Sequence, residues 1–248
     1  MLKTPPTPDV WNDSLLTNPH TVSDKRERVR RMFSAIAPSY DLNNRLHTLW
    51  MDQSWRRRAV KLASLKPTDR VVDVACGTGD LTRAFHRGGA AAVFGVDFTF
   101  EMLPLAVGKS AQSRFINADA QALPLPDECC DVVSIAFGIR NVADPSAALR
   151  EFHRVLRPGG RLIVLEFSLP NHPLLRGLYN FYFKQVLPRT ATWISRDKTG
   201  AYKYLPRSVN TFLNPDQMAI MLRNAGFSGV SAHPMTFGIC FCYRGTKF

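Results

Sequence analysis

The chain has 248 residues, of which 45% are hydrophobic, and this is enough for one large domain with a substantial core. Its formal net charge of +12 indicates anionic partners, such as nucleic acid, an acidic lipid surface or an anionic substrate, although a charge that only maintains solubility fits equally well. No apolar run approaches the roughly 20 residues of a membrane span, and the N-terminus lacks an apolar export signal. The five cysteines show no spacing typical of zinc, redox or disulfide sites. We therefore expect a cytoplasmic protein without a bound metal.

Two segments precede the main pattern of the chain. Residues 1–20 are rich in Pro, Thr and Asn, and we expect them to be disordered. Residues 21–66 are predicted to form a helical cap that starts with a basic helix at Lys25. A second helix is predicted over Asp41–Leu65, before Lys66-Pro67, because apolar residues recur there at helical spacing: Leu42, Leu46, Leu49 and Trp50.

From Arg70 onwards, predicted strands alternate with predicted helices. The strands are Arg70–Ala75, Ala91–Val96, Arg114–Ala118, Asp131–Phe137 and Arg161–Phe167. The helices are Asp80–His86, Glu101–Val107, Ser146–Leu156 and Asn214–Asn224. Gly229 to Lys247 has the alternation of a terminal hairpin. This order predicts an α/β fold with a mostly parallel sheet covered by helices on both faces, formed by residues 67–168 and 208–248.

Residues 169–207 interrupt this alternation and are predicted to be an insertion. Their apolar residues lie nearly all round a helix, which is typical of a helix that is buried or faces lipid: Leu178, Tyr179, Phe181, Tyr182, Phe183, Val186 and Leu187. A lid over a substrate and an ordinary core helix both fit this pattern.

The first strand and the helix after it are joined by a glycine turn with the pattern Asp-x-x-x-Gly-x-Gly, formed by Asp73, Gly77, Thr78 and Gly79. Gly77 and Gly79 let a ligand approach the backbone closely. The third glycine of dinucleotide-binding loops is missing, which argues against NAD. The carboxylates of Asp73 and Asp80 would repel a phosphate but suit a cationic ligand.

Acidic residues also follow the next two strands. Asp97 ends the second strand, where a carboxylate can accept hydrogen bonds from both hydroxyls of a ribose. Asp119 and Ala120 follow the third strand and are placed to line an adenine, on which Phe98 would stack. Because ligands of such sheets bind at the carboxyl ends of the strands, the combination predicts S-adenosyl-L-methionine as the cofactor.

Several other segments resemble one family of methyltransferases, the ubiquinone/menaquinone biosynthesis C-methyltransferases (UbiE/MenG). The resemblance covers residues 25–248 and is carried by Met32–Asn44, Phe137–Val142, Arg157–Arg161, Leu165–Ser168, Tyr204–Ser208 and Tyr243–Phe248. The most specific of these are Phe-Gly-Ile-Arg-Asn-Val and Leu-Glu-Phe-Ser. The resemblance implies a class I Rossmann-like fold, with a seven-stranded sheet and an antiparallel C-terminal strand.

The resemblance also implies methyl transfer to a ring carbon of a prenylated demethylquinol, either demethylmenaquinol or the benzoquinol of the ubiquinone pathway. Arg140 would stabilise the phenolate or polarise a water, since a guanidinium is a poor base. Asn141 would orient the same oxygen, and Tyr40 would bind the substrate or close over the methyl donor. Ala136 stands where relatives often carry Ser, so a hydroxyl contact to the cofactor is absent.

Other functions stay open at this point. A nucleic-acid methyltransferase would explain the charge, but the Asn/Asp-Pro-Pro-Tyr/Phe and Pro-Cys signatures are missing, so no nucleic-acid partner is expected. A non-catalytic cofactor-binding subunit remains an alternative, and the oligomeric state is open. Arginines of the cap would contact anionic headgroups at the inner face of the cytoplasmic membrane, or form a solvated face: Arg26, Arg28, Arg30, Arg31, Arg56, Arg57 and Arg58.

Overall fold

The computed structural model describes residues 10–170, 172–195 and 197–248. Its strands are β1 Arg70–Val74, β2 Ala92–Asp97, β3 Arg114–Asn117, β4 Cys130–Ala136, β5 Leu156–Phe167, β6 Ser228–Met235 and β7 Cys240–Thr246. They form a seven-stranded sheet in the order β3-β2-β1-β4-β5-β7-β6. The first five strands are parallel, and β7 runs antiparallel between β5 and β6. The predicted fold is confirmed.

The helices lie before, between and after these strands. Their bounds are α1 Lys25–Ile36, α2 Tyr40–Thr48, α3 Met51–Ala63, α4 Asp80–Arg87, α5 Leu103–Lys109, α6 Pro145–Val155, α7 Pro173–Phe181, α8 Leu187–Ser195, α9 Ala201–Thr211 and α10 Pro215–Asn224. Local sequence sets several helix starts. Asp144 accepts a hydrogen bond from the backbone N–H of Ala147 at the start of α6, and Asn214 and Gln217 form a capping box at α10.

The sheet is covered on both faces by apolar side chains. One cluster packs β4 and β5 against α6 and α10, with Phe152 and Leu222 fully buried. The other packs the opposite face against α3 and α4, with Ala59 and Phe85 fully buried. Strand order reverses between β1 and β4, and there the chain leaves the two strands in opposite directions. This leaves a crevice at their carboxyl ends, which is where ligands of such sheets bind.

The N-terminal cap differs from its prediction in two respects. The single helix expected over Asp41–Leu65 is divided into α2 and α3, because Leu49 and Trp50 adopt left-handed backbone conformations with φ of 50° and 61°. Residues 10–20, expected to be disordered together with residues 1–9, are packed where the structure describes them. The backbone N–H of Trp11 donates to the carbonyl of Thr199 at 3.0 Å, and its side chain is buried. Residues 1–9 lie outside the described residues.

The insertion and the cap pack against each other in a third apolar cluster. The rings of Tyr179 and Phe183 in the insertion stack with their centroids 4.1 Å apart. The ring centroids of Tyr204 and of Trp11, which precedes the cap, lie 4.5 Å apart. A wider π-helical turn, Tyr182–Val186, joins α7 to α8 just before Pro188, which has no N–H to donate. The predicted end of the insertion at residue 207 falls inside α9. In the described parts of the chain, no helix combines the length and the apolar character needed to cross a membrane.

Candidate active site

The turn after β1 is shaped by three residues with positive φ. Ala75, Gly77 and Gly79 have φ of 50°, 54° and 81°. A Cβ on Gly79 would lie 3.1 Å from atoms of Ala106 on α5, so only glycine lets the turn approach α5 this closely. The turn thus brings backbone to the carboxyl edge of the sheet and starts α4 directly behind it.

Asp73 supports this turn from below. Its two carboxylate oxygens accept hydrogen bonds from the hydroxyls of Thr82 and Ser134, each at 2.7 Å, and the residue is buried. Burial raises the pKa of Asp73 to about 6. Asp73 thus ties α4 and β4 to β1 through both oxygens, and its contact with the cofactor stays a prediction.

A cleft of about 760 Å³ opens above the turn, and we call it the loop cleft. Asp97 lies in its wall and accepts hydrogen bonds from the backbone N–H groups of Gly77 at 2.7 Å and Thr99 at 2.8 Å. Burial raises the pKa of Asp97 to about 6. A carboxylate oxygen has a second lone pair, so Asp97 can still accept bonds from a ligand.

The far wall of the loop cleft contains Phe98, Asp119 and Ala120, as the sequence predicted. Two of these residues have a partner that the sequence did not indicate. Arg26 on α1 lies 4.6 Å from the ring centroid of Phe98 and forms an ion pair with Asp119 at 2.8 Å. The cap therefore closes one side of the cleft by an ion pair and a cation–π contact.

Thr78 and Gly79 do not line the loop cleft. The hydroxyl of Thr78 donates to Asp41 on α2 and accepts from Lys109 on α5. Lys109 is also ion-paired with Asp41 and Asp80. These contacts fasten the cap to the glycine turn, and a smaller recess of about 310 Å³, the loop recess, lies beneath them.

A second cavity of about 750 Å³, the inner cavity, adjoins the loop cleft. Phe33, Tyr40 and Phe137 line both, so the two spaces meet at these rings. Tyr40 also lines the loop recess. Burial raises the pKa of the Tyr40 hydroxyl above its usual value, so it stays protonated at neutral pH. The structure thus places Tyr40 at the junction of all three spaces.

Arg140 lines the inner cavity and is held from behind by Glu166 at the end of β5. Its Nη1 donates to Glu166 Oε1 and to the carbonyl of Phe137, both at 2.7 Å, and its Nε donates to Ser208 at 3.3 Å. Among the described residues, Nη2 has no hydrogen-bond partner. Glu166 was not predicted as a site residue, although a lone carboxylate at the end of an apolar strand was a usable signal.

Asn141 faces the loop cleft, whereas its neighbour Arg140 faces the inner cavity. Its amide donates to the carbonyl of Phe137 at 3.1 Å and accepts from the hydroxyl of Tyr204 at 2.9 Å. The two side chains thus line different, adjoining spaces, and the prediction that they act on one oxygen stays a prediction. Asn141 fixes the wall between the two spaces.

A third and mostly apolar space of about 940 Å³, the apolar cavity, lies beyond the inner cavity. His47, Thr48, Phe167 and Phe183 line both. Its outer rim includes Leu49, Leu178 and Phe237, whose exposed fractions are 76%, 61% and 79%.

The arginines of the cap do not form a free basic face. Arg28 and Arg30 are ion-paired with Asp24 and Glu27 on their own helix turn, in addition to the pair between Arg26 and Asp119. Arg56 is buried, while Arg31, Arg57 and Arg58 are exposed. Carboxylates or burial thus engage four of the seven arginines, and contact of the cap with anionic headgroups stays a prediction.

Comparisons with known proteins agree on one family. The model of the ubiE/COQ5 methyltransferase family matches residues 21–247. The ubiquinone/menaquinone biosynthesis C-methyltransferase UbiE of Geotalea daltonii is 43% identical over 234 residues, which cover 91% of this chain and 99% of that protein. The demethylmenaquinone methyltransferase of Thermus thermophilus is 47% identical over 221 residues, which cover 87% and 100%.

Solved structures share the fold at lower identity. A SAM-dependent methyltransferase from Thermotoga maritima superposes with a TM-score of 0.63 at 22% identity, and the match covers 89% of this chain and 100% of that one. At this identity the similarity concerns the fold alone.

The pair of Arg140 and Glu166 is expected to show strong coupling in a double-mutant cycle. The side chains are 5% and 3% exposed, so removing one partner leaves a buried charge uncompensated. Glu166→Gln or Arg140→Met alone is expected to lower the free energy of unfolding by about 3–5 kcal/mol, and the double variant by much less than the sum. Denaturant unfolding measures this, and additive losses would contradict a buried, mutually dependent pair.

Proposed function

The chain belongs to the ubiE/COQ5 methyltransferase family and is an S-adenosylmethionine-dependent C-methyltransferase of quinone biosynthesis; we propose that its acceptor is a prenylated demethylquinol whose ring lies in the inner cavity. The names of two relatives refer to demethylmenaquinone and to ubiquinone and menaquinone biosynthesis. The acceptors that the sequence resemblance implies, demethylmenaquinol and the ubiquinone-pathway benzoquinol, both have such a ring and tail. The observation that carries the proposal is that the loop cleft and the inner cavity meet at Tyr40 and Phe137.

The loop cleft suits the adenosine half of the cofactor. Asp97 would accept hydrogen bonds from the ribose hydroxyls, and Asp119, Ala120 and Phe98 would surround the adenine. Gly77 leaves the space between the turn and Tyr40 free of a side chain, because a Cβ there would lie 4.0 Å from the Tyr40 ring. When bound, S-adenosylmethionine supplies an electrophilic methyl group on a sulfonium.

The acceptor has to be activated for attack by carbon. A hydroquinone ring carbon becomes nucleophilic when a neighbouring hydroxyl loses its proton, because the phenolate increases electron density on the ring. Transfer then forms a carbon–carbon bond, breaks the carbon–sulfur bond and ends when the ring proton leaves. The chain therefore needs a group that stabilises the phenolate and walls that hold the ring close to the methyl group.

Arg140 is proposed to stabilise the phenolate. Its Nη1 and Nε are held by Phe137, Glu166 and Ser208, which leaves Nη2 for a ligand in the inner cavity. A guanidinium fixed before the reaction stabilises developing charge without reorganisation. Phe33, Tyr40 and Phe137 would hold the ring at the junction of the two spaces.

The apolar cavity is proposed to bind the prenyl tail. It continues from the inner cavity past Phe167 and Phe183 and reaches the surface at Leu49, Leu178 and Phe237. A polyprenyl chain is longer than this cavity, so the rest of the tail would leave through the rim.

We also propose that this rim contacts a membrane surface. Residues 172–195, which form α7 and α8, contain Arg176, Lys184 and Arg189 but no Asp or Glu. An apolar rim with flanking cations suits the headgroup region of an anionic bilayer, where each cation contributes about 1 kcal/mol. Contact on the cytoplasmic side stays a prediction.

The acceptor is tested by methyl transfer to demethylmenaquinol and to the demethylated benzoquinol in parallel. Turnover of at least one quinol is expected, and a short-tailed analogue of the same ring is expected to have a higher KM because it leaves the apolar cavity partly empty. Binding of S-adenosylhomocysteine without turnover of either ring would contradict the proposed acceptor.

Arg140→Met combined with Glu166→Gln is expected to lower kcat by about a hundredfold or more while leaving the Kd of S-adenosylhomocysteine nearly unchanged. The kcat falls because the variant lacks one preorganised donor to the developing oxyanion. Glu166 is changed together with Arg140 so that no buried charge is left without its partner. The exposed Arg150→Met on α6 is the matched control and should behave as wild type. Equal losses in kcat and cofactor affinity would instead assign Arg140 to the fold or the cofactor.

Cofactor affinity is expected to fall as the pH drops through about 6. Burial raises the pKa of Asp97 to about 6, and only the ionised carboxylate accepts bonds from both ribose hydroxyls. Below this pH, binding must displace a proton, so the Kd of S-adenosylhomocysteine should rise by up to about tenfold per pH unit. Calorimetry measures this. Asp97→Asn should bind more weakly with a flat profile, and a flat wild-type profile would remove Asp97 from the site.

Contact of the rim with lipid is tested by co-sedimentation with phosphatidylglycerol vesicles. The triple variant Leu49→Ser, Leu178→Ser and Phe237→Ser is expected to lose most of its vesicle binding, because it removes the apolar rim. The control is a triple variant at exposed apolar residues elsewhere, with Leu105, Val107 and Ile220 each changed to Ser. Equal binding by both triple variants would contradict the proposed contact.

A further inference from the structure

Arg56 on α3 is a buried cation that the proposed reaction does not use. Its side chain is 9% exposed, and its Nη1 donates to Asp52 Oδ2 at 2.7 Å. Its guanidinium carbon lies 5.3 Å from the ring centroid of Phe137. Within the described part of the chain, its Nε is buried without a hydrogen-bond partner. A buried N–H donor without a partner is costly, and a ligand that supplies an acceptor to this guanidinium would offset that cost.

Arg56 lines the loop recess, which is continuous with the loop cleft. The two spaces share Tyr40, Ala75, Gly77 and Ala136. Among the described residues that line the recess, Arg56 is the one cationic side chain, and the first two residues of a helix, Asp80 and Leu81, line the same space. That helix is α4, which has Gly79 at its N-cap position and no side chain that caps it. Its first N–H groups are therefore available to an anion.

We propose that Arg56 and the uncapped N-terminus of α4 bind the carboxylate of the cofactor's amino-acid arm. The inference rests on the proposed binding of the cofactor, in which the ribose lies on Asp97. From that position the loop recess is the space reached past Gly77 and Tyr40. The arm carries one carboxylate and one ammonium. The recess offers Arg56 to the carboxylate and Asp73 to the ammonium, whereas its other acidic side chain, Asp80, is already ion-paired with Lys109.

A purely structural role for Arg56 makes a different prediction. If Arg56 only neutralises Asp52, its loss would disturb the recess and the loop cleft without distinguishing one ligand from another. If it binds the carboxylate, its loss would affect only ligands that carry the amino-acid arm. Two ligands separate these cases: S-adenosylhomocysteine, which has the arm, and 5′-methylthioadenosine, which has the same adenosine and sulfur but no arm.

The test is calorimetric titration of both ligands into the full chain and its variants. Arg56→Met is compared with Arg57→Met, which removes the adjacent exposed cation from the same helix. The double variant Asp52→Asn with Arg56→Met removes both buried charges and serves if the single variant unfolds. We expect both Arg56 variants to weaken S-adenosylhomocysteine binding by about ten- to a hundredfold, as for the loss of a charged hydrogen bond. Binding of 5′-methylthioadenosine should change less than about twofold, and Arg57→Met should change neither.

Two results would overturn the inference. Equal weakening of both ligands in the double variant would make Arg56 a structural residue, and unchanged S-adenosylhomocysteine binding would place the carboxylate elsewhere. Failure of wild-type protein to bind either ligand would instead contradict the proposed cofactor site. Partial recovery of S-adenosylhomocysteine binding by Arg56→Lys is expected, since lysine keeps the charge but not the planar donor fork.

Discussion

The buried ion pair between Arg140 and Glu166 is the interaction on which the arrangement of the site depends. It joins the carboxyl ends of β4 and β5, where Glu166 accepts hydrogen bonds from Arg140 and from the backbone N–H of Phe167. Burying two charges costs several kcal/mol per ion unless each has good partners. Here the carbonyl of Phe137 adds another acceptor for Arg140, because Phe137 adopts a left-handed conformation with φ of 57°.

This turn at Phe137 separates the two halves of the site. Its carbonyl accepts from both Arg140 and Asn141, yet the side chains of those neighbours line different spaces. The sheet thus supplies the floor of both spaces, and the cap completes their walls with Phe33 and Tyr40. Lys109 fastens the cap to the glycine turn through Asp41 and Asp80, which holds the cap against the two spaces in which donor and acceptor would react.

Sequence patterns predicted the parts of the site that depend on local order. The glycine turn and Asp97 directly follow strands that the sequence pattern predicts. The carboxyl ends of parallel strands lie at the same edge of such a sheet, so residues that follow them are placed at that edge. Residues whose role depends on distant partners were missed. Arg56 stands in a run of three arginines that is typical of a solvated face, and its burial follows from packing against Asp52 and Phe137. Likewise, Leu49 and Trp50 fit a helical period, but their left-handed backbone ends α2 there.

The central claim is that the ring carbon, and not a hydroxyl oxygen, receives the methyl group at the junction of the loop cleft and the inner cavity. The most direct test uses S-adenosylmethionine with a trideuterated methyl group and demethylmenaquinol as acceptor, followed by mass spectrometry and NMR of the product. The account predicts a product in which the trideuteromethyl group replaces the ring proton and both hydroxyls remain free. A methyl ether that retains the ring proton would contradict it.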